Sequence, residues 1–137
     1  MTKLKLTNNT DLILARTGKL PQERVRSVQI DALVDTGAVT LVLPEDLCRR
    51  LGLPFQGTRR VRYANGTTAS IPWTSARVEI LGRDTVCETF VEAAGTTPLI
   101  GQVPLETLDL LVDPGTRDLR VNPASPDAPL LDLLAVA

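Results

Sequence analysis

Between Val28 and Val34 apolar residues alternate with Gln29, Asp31 and Leu33, the alternation breaks at Asp35-Thr36-Gly37, and an apolar run, Val39-Thr40-Leu41-Val42-Leu43, follows. Alternation with a period of two marks a strand with one face in a core. The chain is therefore committed to a strand, a tight reversal and a second apolar segment. A carboxylate, Asp35, arrives at the end of the first strand. Gly37 lets the backbone turn and brings main-chain N–H groups toward that carboxylate. An Asp-Thr-Gly tripeptide alone is ordinary turn chemistry, since such residues bend chains through local hydrogen bonds. Its apolar flanks are what single it out.

Composition narrows the chemistry. The 137 residues, 43% hydrophobic and 23% charged, suit one core in a single domain. A net charge of −1 creates no field that would draw nucleic acid or an anionic membrane, and neither is expected as a partner. There is no histidine, and Cys48 and Cys87 have no metal-ligand spacing. His-based triads and most zinc chemistry are excluded, no metal or cofactor is expected, and the cysteines read as small buried hydrophobes. Carboxylates remain as acid and base. Residues 1–10 lack the apolar run of a secretory signal, and no segment approaches the roughly 20 apolar residues that span a bilayer. The expectation is a cytoplasmic protein with reduced thiols.

Along the chain, Leu4 and Leu6, then Leu12 and Leu14, predict two short strands around Asn8-Asn9-Thr10, so that residues 1–24 form an N-terminal extension or hairpin outside the core. Pro44, Glu45 and Asp46 open a helix that Arg49, Arg50 and Gly52 close, with Leu43, Leu47 and Leu51 as its buried stripe. Asn65-Gly66 between extended arms predicts a hairpin with a two-residue turn. Tyr63 and Trp73, in or beside it, either wall a cleft or pack its base. Arg59, Arg60 and Arg62 form a basic cluster, read as a solvated face or as a preference for acidic side chains. Residues 78–91 read as two strands about a Gly82-Arg83-Asp84 turn, and residues 110–121 as strand, turn and strand. Leu111-Val112-Asp113-Pro114-Gly115 echoes the Asp35 segment, but proline replaces threonine and the segment reads as a turn. Residues 122–137 form a proline-rich linker and an apolar tail, too apolar over its last eight residues to stay in water on a monomer.

Leu33-Val34-Asp35-Thr36-Gly37-Ala38, with Pro98-Leu99-Ile100-Gly101-Gln102 downstream, resembles the retropepsin-like (clan AA) aspartic proteases, in the form of a bacterial-type single-domain member, over residues 25–121. The resemblance implies a mainly β fold, the retropepsin-like acid-protease half-barrel with one or two short helices, active as a symmetric homodimer. It implies Asp35 as the catalytic residue of an aspartic endopeptidase, with Thr36, Gly37 and Ala38 supporting the active-site loop. Ile100 and Gly101 would run behind that loop. The hairpin residues Tyr63, Ala64, Asn65, Gly66 and Thr67 would be a flap over a peptide substrate, although the glycine-rich tip of retroviral members is replaced by Asn65-Gly66-Thr67. Thr36 would bond across the dimer, and residues 130–137 would join its interface. Ala38 stands where many relatives carry a hydroxyl; lacking that hydrogen bond to the ionised carboxylates, the enzyme is expected to work nearer neutral than strongly acidic pH.

One catalytic loop per chain has a consequence. Aspartic proteolysis needs two carboxylates sharing a proton, because like charges about 3 Å apart cannot both ionise. A second copy would supply the other, through a self-complementary two-fold interface. No covalent intermediate is implied. Two alternatives remain at the level of sequence: a catalytically weak dimeric peptide-binding or scaffold module on the same fold, and a small β domain with an incidental Asp-Thr-Gly turn.

Overall fold

The computed structural model describes residues 1–133. Strand β1 (Thr2–Thr7) buries Leu4 and Leu6 on alternate positions. Asn8 ends it and caps a helix, α1 (Asn9–Arg16): its Oδ1 accepts the Asp11 N–H at 3.0 Å, and its Nδ2 donates to the Leu51 carbonyl at 2.8 Å. Asp11, in the first turn, accepts from the Arg26 N–H, Nε and Nη2 at 3.1, 2.8 and 3.1 Å. That guanidinium holds the Asp11 carboxyl below the usual carboxylate range. Leu12 and Leu14 therefore lie on a helix, and the expected N-terminal hairpin does not form. The strand it would have needed is supplied by the next segment, β2 (Ser27–Val34), which pairs antiparallel with β1 from Thr2↔Ala32 to Thr7↔Ser27.

The remaining elements are β3 (Leu41–Pro44), α2 (Glu45–Arg50), β4 (Gly57–Arg62), β5 (Thr68–Ile80), β6 (Arg83–Glu92), β7 (Leu99–Ile100), α3 (Gln102–Thr107), β8 (Leu110–Val112) and β9 (Leu119–Val121). The main sheet has the order β1-β2-β7-β3-β6-β5-β4, and β1 also pairs with β5. The sheet thus curls until β1 meets β5, leaving β4 outside the closure as an edge. The architecture is mainly β with a few short helices, and β1 belongs to its main sheet. Leu6, Leu41, Leu43, Val78, Ile80, Ile100 and Leu108 fill the interior, and Leu47 and Leu51 close it from α2. Among the described residues no helix is long and apolar enough to cross a membrane.

The β5–β6 turn is one residue earlier than the sequence predicts. Ile80 pairs with Arg83, so Leu81 and Gly82, both at positive φ (52° and 80°), form the two-residue reversal whose hand matches strand twist. Arg83 is thereby a strand residue, only 6% exposed, and its guanidinium donates to the carbonyls of Leu108 at 3.0 Å, Asp109 at 3.1 Å and Ser125. Those carbonyls include the end of α3, where a cation is favoured. Asp109 in turn accepts from Asn122 Nδ2 at 3.0 Å, the Ser125 hydroxyl and the Leu130 N–H at 3.1 Å. Residues 122–130 are folded back onto the domain by these contacts. Beyond them Leu131 and Leu133 are exposed; the rest of the apolar tail, residues 134–137, lies outside the described residues.

Candidate active site

Asp35 follows the last residue of β2, and its loop is held from behind. Strand β7 is inserted between β2 and β3, parallel to the first (Leu33↔Leu99, Val34↔Ile100) and antiparallel to the second (Val42↔Leu99). The Asp35 N–H donates to the Ile100 carbonyl at 3.0 Å, while Gln102 and Val103 N–H groups donate to the Ala38 and Val39 carbonyls at 2.8 and 2.9 Å. Ile100 is fully buried and Gly101 is packed against the loop backbone. A Cβ at Gly101 would stand 2.5 Å from the Ala38 carbonyl oxygen and 2.6 Å from that of Thr40. Only a residue without a side chain permits this approach.

The loop is tight in front as well. The Ala38 N–H donates to the Asp35 carbonyl at 3.1 Å, and the Gly37 N–H to Asp35 Oδ1 at 2.9 Å. The carboxylate is thus oriented by its own loop and left exposed at the mouth of a cleft of about 660 Å³. Asp35, Gly37 and Ala38 line one side; Tyr63 and Ala64 of the β4–β5 hairpin line another; Val42, Phe90 and Leu99 give an apolar floor. Thr36 is exposed on the loop, and neither it nor the hairpin tip Asn65, Gly66 and Thr67 lines the cleft.

The hairpin turn differs from the expected two-residue form. The Tyr63 N–H donates to the Thr67 carbonyl at 2.8 Å and the Gly66 N–H to the Tyr63 carbonyl at 2.9 Å, with only Gly66 at positive φ (87°). This is a turn followed by a left-handed glycine, the common three-residue connection. Asn65 spends its side chain locally: its Oδ1 accepts the Thr67 N–H at 3.0 Å and the Thr67 hydroxyl at 2.6 Å, which keeps Asn65 itself out of the left-handed region. Below the tip, the Tyr63 hydroxyl donates to Glu92 Oε1 at 2.9 Å, and this bond to a carboxylate pushes the tyrosine pKa up. Trp73 stands at the hairpin base, with the Arg59 guanidinium 4.4 Å from its ring centroid, and is absent from the cleft wall.

Several cleft residues were not visible as such in the sequence: Val39, Val42, Ile71, Phe90, Glu92, Thr96 and Leu99. A signal existed. Val42 lies between buried Leu41 and Leu43, and Phe90 precedes buried Val91. A strand that is apolar on both faces covers a second apolar surface. Cys48 and Cys87 are buried and unpaired, with desolvation pushing both thiols to about 11. The Asp113 turn accepts the Gly115 and Thr116 N–H groups at 2.8 and 3.2 Å and lies outside the cleft. Among the described residues, no three His, Cys, Asp or Glu side chains group as metal ligands.

Residues 22–107 match the family model described as "gag-polyprotein putative aspartyl protease", well over half the chain and the whole stretch that builds the Asp35 loop, the hairpin and the Ile100-Gly101 support. The chain belongs to this family. The retropepsin-like resemblance carried by residues 33–38 and 98–102 is therefore one of descent as well as of motif. Among solved structures this aspartyl protease family member is similar to EIAV protease complexed with the inhibitor HBY-793, at 22% identity and a TM-score of 0.48, over 57% of this chain and 75% of that one. No curated protein sequence matches it. Strand β1, α1 and everything beyond α3 fall outside the span that defines the aspartyl protease family here.

Proposed function

We propose that this chain is one half of an aspartic endopeptidase, completed by a second copy that brings another Asp35 to the two-fold axis. The observation that carries the reading is an exposed carboxylate fixed by its own loop amide at 2.9 Å, braced by β7, and opening onto an apolar cleft beneath a hairpin. The other carboxylate lining that cleft, Glu92, is already bonded to Tyr63. A shared proton on two facing aspartates makes one an acid and the other a base. The base takes a proton from water as it attacks the peptide carbonyl, and the acid protonates the carbonyl oxygen; the first aspartate, now protonated, then gives its proton to the amide nitrogen as the C–N bond breaks, while the second, now ionised, takes a proton from the gem-diol as the carboxyl forms, which restores the shared proton. In this reading Thr36, exposed on the loop, bonds the partner's loop, and residues 63–67 act as the flap. The exposed Leu131 and Leu133 supply apolar surface for the dimer.

The test is cleavage of a diverse peptide pool by wild type and Asp35→Asn across pH, with oligomeric state recorded in parallel. Wild-type cuts that vanish in a still-dimeric variant support the dyad. A stable wild-type dimer that binds peptides and cuts none would instead assign the fold to peptide binding. A rate profile peaking below about pH 4 would contradict the near-neutral optimum expected from Ala38.

A further inference from the structure

Strand register sorts the side chains around the cleft by face. Phe90 is paired with Val42 of β3 on one side and Trp73 of β5 on the other, and Val42 with Leu99. Residues two apart on a strand share a face, so Ile71 and Glu92 join Phe90 there. Val61 and Tyr63 continue that face along the hairpin, while Arg60 and Arg62 leave the opposite face of β4. The cleft face is thus an apolar surface with few charges on it. Arg59 and Glu88 are paired with each other at 2.6 Å. Glu92 has no such mate: its Oε1 accepts from the Tyr63 hydroxyl at 2.9 Å, nothing among the described residues donates to Oε2, and their ion pairs do not include it. No fully buried side-chain oxygen among those residues lacks a partner, so Oε2 is open to solvent. Glu92 is therefore a half-buried carboxylate, anchored by Tyr63, with one free oxygen on the cleft wall.

A peptide that fills the cleft takes water away from that oxygen. An ionised carboxylate loses hydration in such a place and recovers the loss from a paired cation. No cation among the described residues pairs with Glu92, and the proposed cleavage uses Asp35 and its mate, so the cation falls to the substrate. A lysine or arginine suits the place: its aliphatic stem covers the apolar wall at Ile71 and Phe90, and its charged head meets Oε2 beside the Tyr63 ring, whose face also attracts a cation. We infer that Glu92 is a specificity-determining residue that selects peptides with a basic side chain in the cleft. The inference rests on the reading of the cleft as a peptide site. In a symmetric dimer Glu92 recurs across the two-fold axis, so a basic side chain is favoured at one position on each side of the scissile bond.

The experiment takes a peptide cut in the pool and places arginine or citrulline, its neutral isostere, at successive positions on either side of the cut. Wild type is expected to favour arginine at one position on each side by roughly threefold to tenfold in kcat/KM at low salt, as for one well-placed, partly exposed ion pair, with the preference shrinking in 1 M salt. In Glu92→Gln, which can still accept the Tyr63 hydroxyl, the arginine:citrulline ratio should fall to about one, and in Glu92→Lys glutamate should become better than glutamine at the same positions. Each ratio is taken within one enzyme, so a variant that folds poorly lowers both rates and leaves their ratio readable. A wild-type ratio near one at every position overturns the inference while leaving the peptidase intact, as does a preference that persists unchanged in Glu92→Gln. A still-dimeric Glu92→Gln that cuts neither peptide would place Glu92 in the reaction itself and overturn the inference too. If wild type cuts nothing in the pool, the peptidase reading fails on its own, and fluorescence polarisation of a labelled peptide series with arginine or citrulline at each position still decides: tighter binding of arginine that is lost in Glu92→Gln sustains the inference, and equal or undetectable binding of both overturns it.

Discussion

Two glycines in the candidate site are constrained by different things, and substitution separates them. Gly101 has φ −106°, which any residue adopts, so its requirement is space: a methyl group would meet backbone oxygens at 2.5 and 2.6 Å. Backbone cannot swing aside as a flexible side chain can. Gly101→Ala should lower stability by about 1–3 kcal/mol, as overpacking does, and lower activity with it because β7 and the Asp35 loop must separate. Gly37 faces outward, and a methyl there would stand 3.1 Å from Asp35 Oδ1 and little else. Gly37→Ala should melt near wild type yet cut peptides about tenfold more slowly or worse, since a displaced reacting group is costly even when the fold is intact. Denaturant melts and cleavage rates on the two variants test the distinction; equal stability losses would show that the loop and its brace are one rigid unit.

At the level of elements, the return of residues 122–130 hangs on one carboxylate. Asp109 accepts from Ser125, Asn122 and the Leu130 N–H, in that order of effect, and these bonds hold its pKa at about 2 against an ordinary 3.8. A depressed folded-state value means the contribution is present in full above about pH 4 and is lost as pH falls toward 2. Leu130 amide protection, corrected for intrinsic exchange, should therefore decline over that window, and Asp109→Asn should lower it already at pH 7. Unchanged protection in the variant would mean that Arg83, not Asp109, does the holding. Neither residue was legible in the sequence, because each serves partners far along the chain. The strand at 28–34 was legible because alternation is local, and the hairpin arms about Asn65-Gly66 because that turn signal is local; that the second arm runs on through residues 74–77 as one strand to Ile80 was not. The first helix was misread as a strand because Leu12 and Leu14 are two apart, the spacing of one strand face, and eight residues are too few to show a helical period against it. Asn8 is both a turn former and a helix cap, and only its distant bond to the Leu51 carbonyl and the grip of Asp11 on Arg26 settle which role it takes.

For the whole molecule, the sequence carried the parts of the site but not their meeting. Asp35 and Gly101 were readable as elements of one loop system; that Phe90, Leu99 and Val42 would floor the same cleft follows from β7 threading between β2 and β3, a pairing no local pattern encodes. The same topology leaves each chain with a single loop of the Asp35 kind, so proposed activity depends on association. If both aspartates of a pair are required, a mixed dimer of wild type and Asp35→Asn is dead. Equal amounts, unmixed, retain half the activity of the same total of wild type. After exchange of subunits, random pairing leaves about a quarter of the dimers wild type in both halves, so activity should fall from about one half to about one quarter, with time, as exchange proceeds. Dilution should lower specific activity over the same concentration range in which sedimentation shows monomer. Activity that stays at one half after demonstrated exchange would place a complete active site within one chain, and the search for a second acid would then turn to Glu92, the carboxylate that shares the cleft with Asp35.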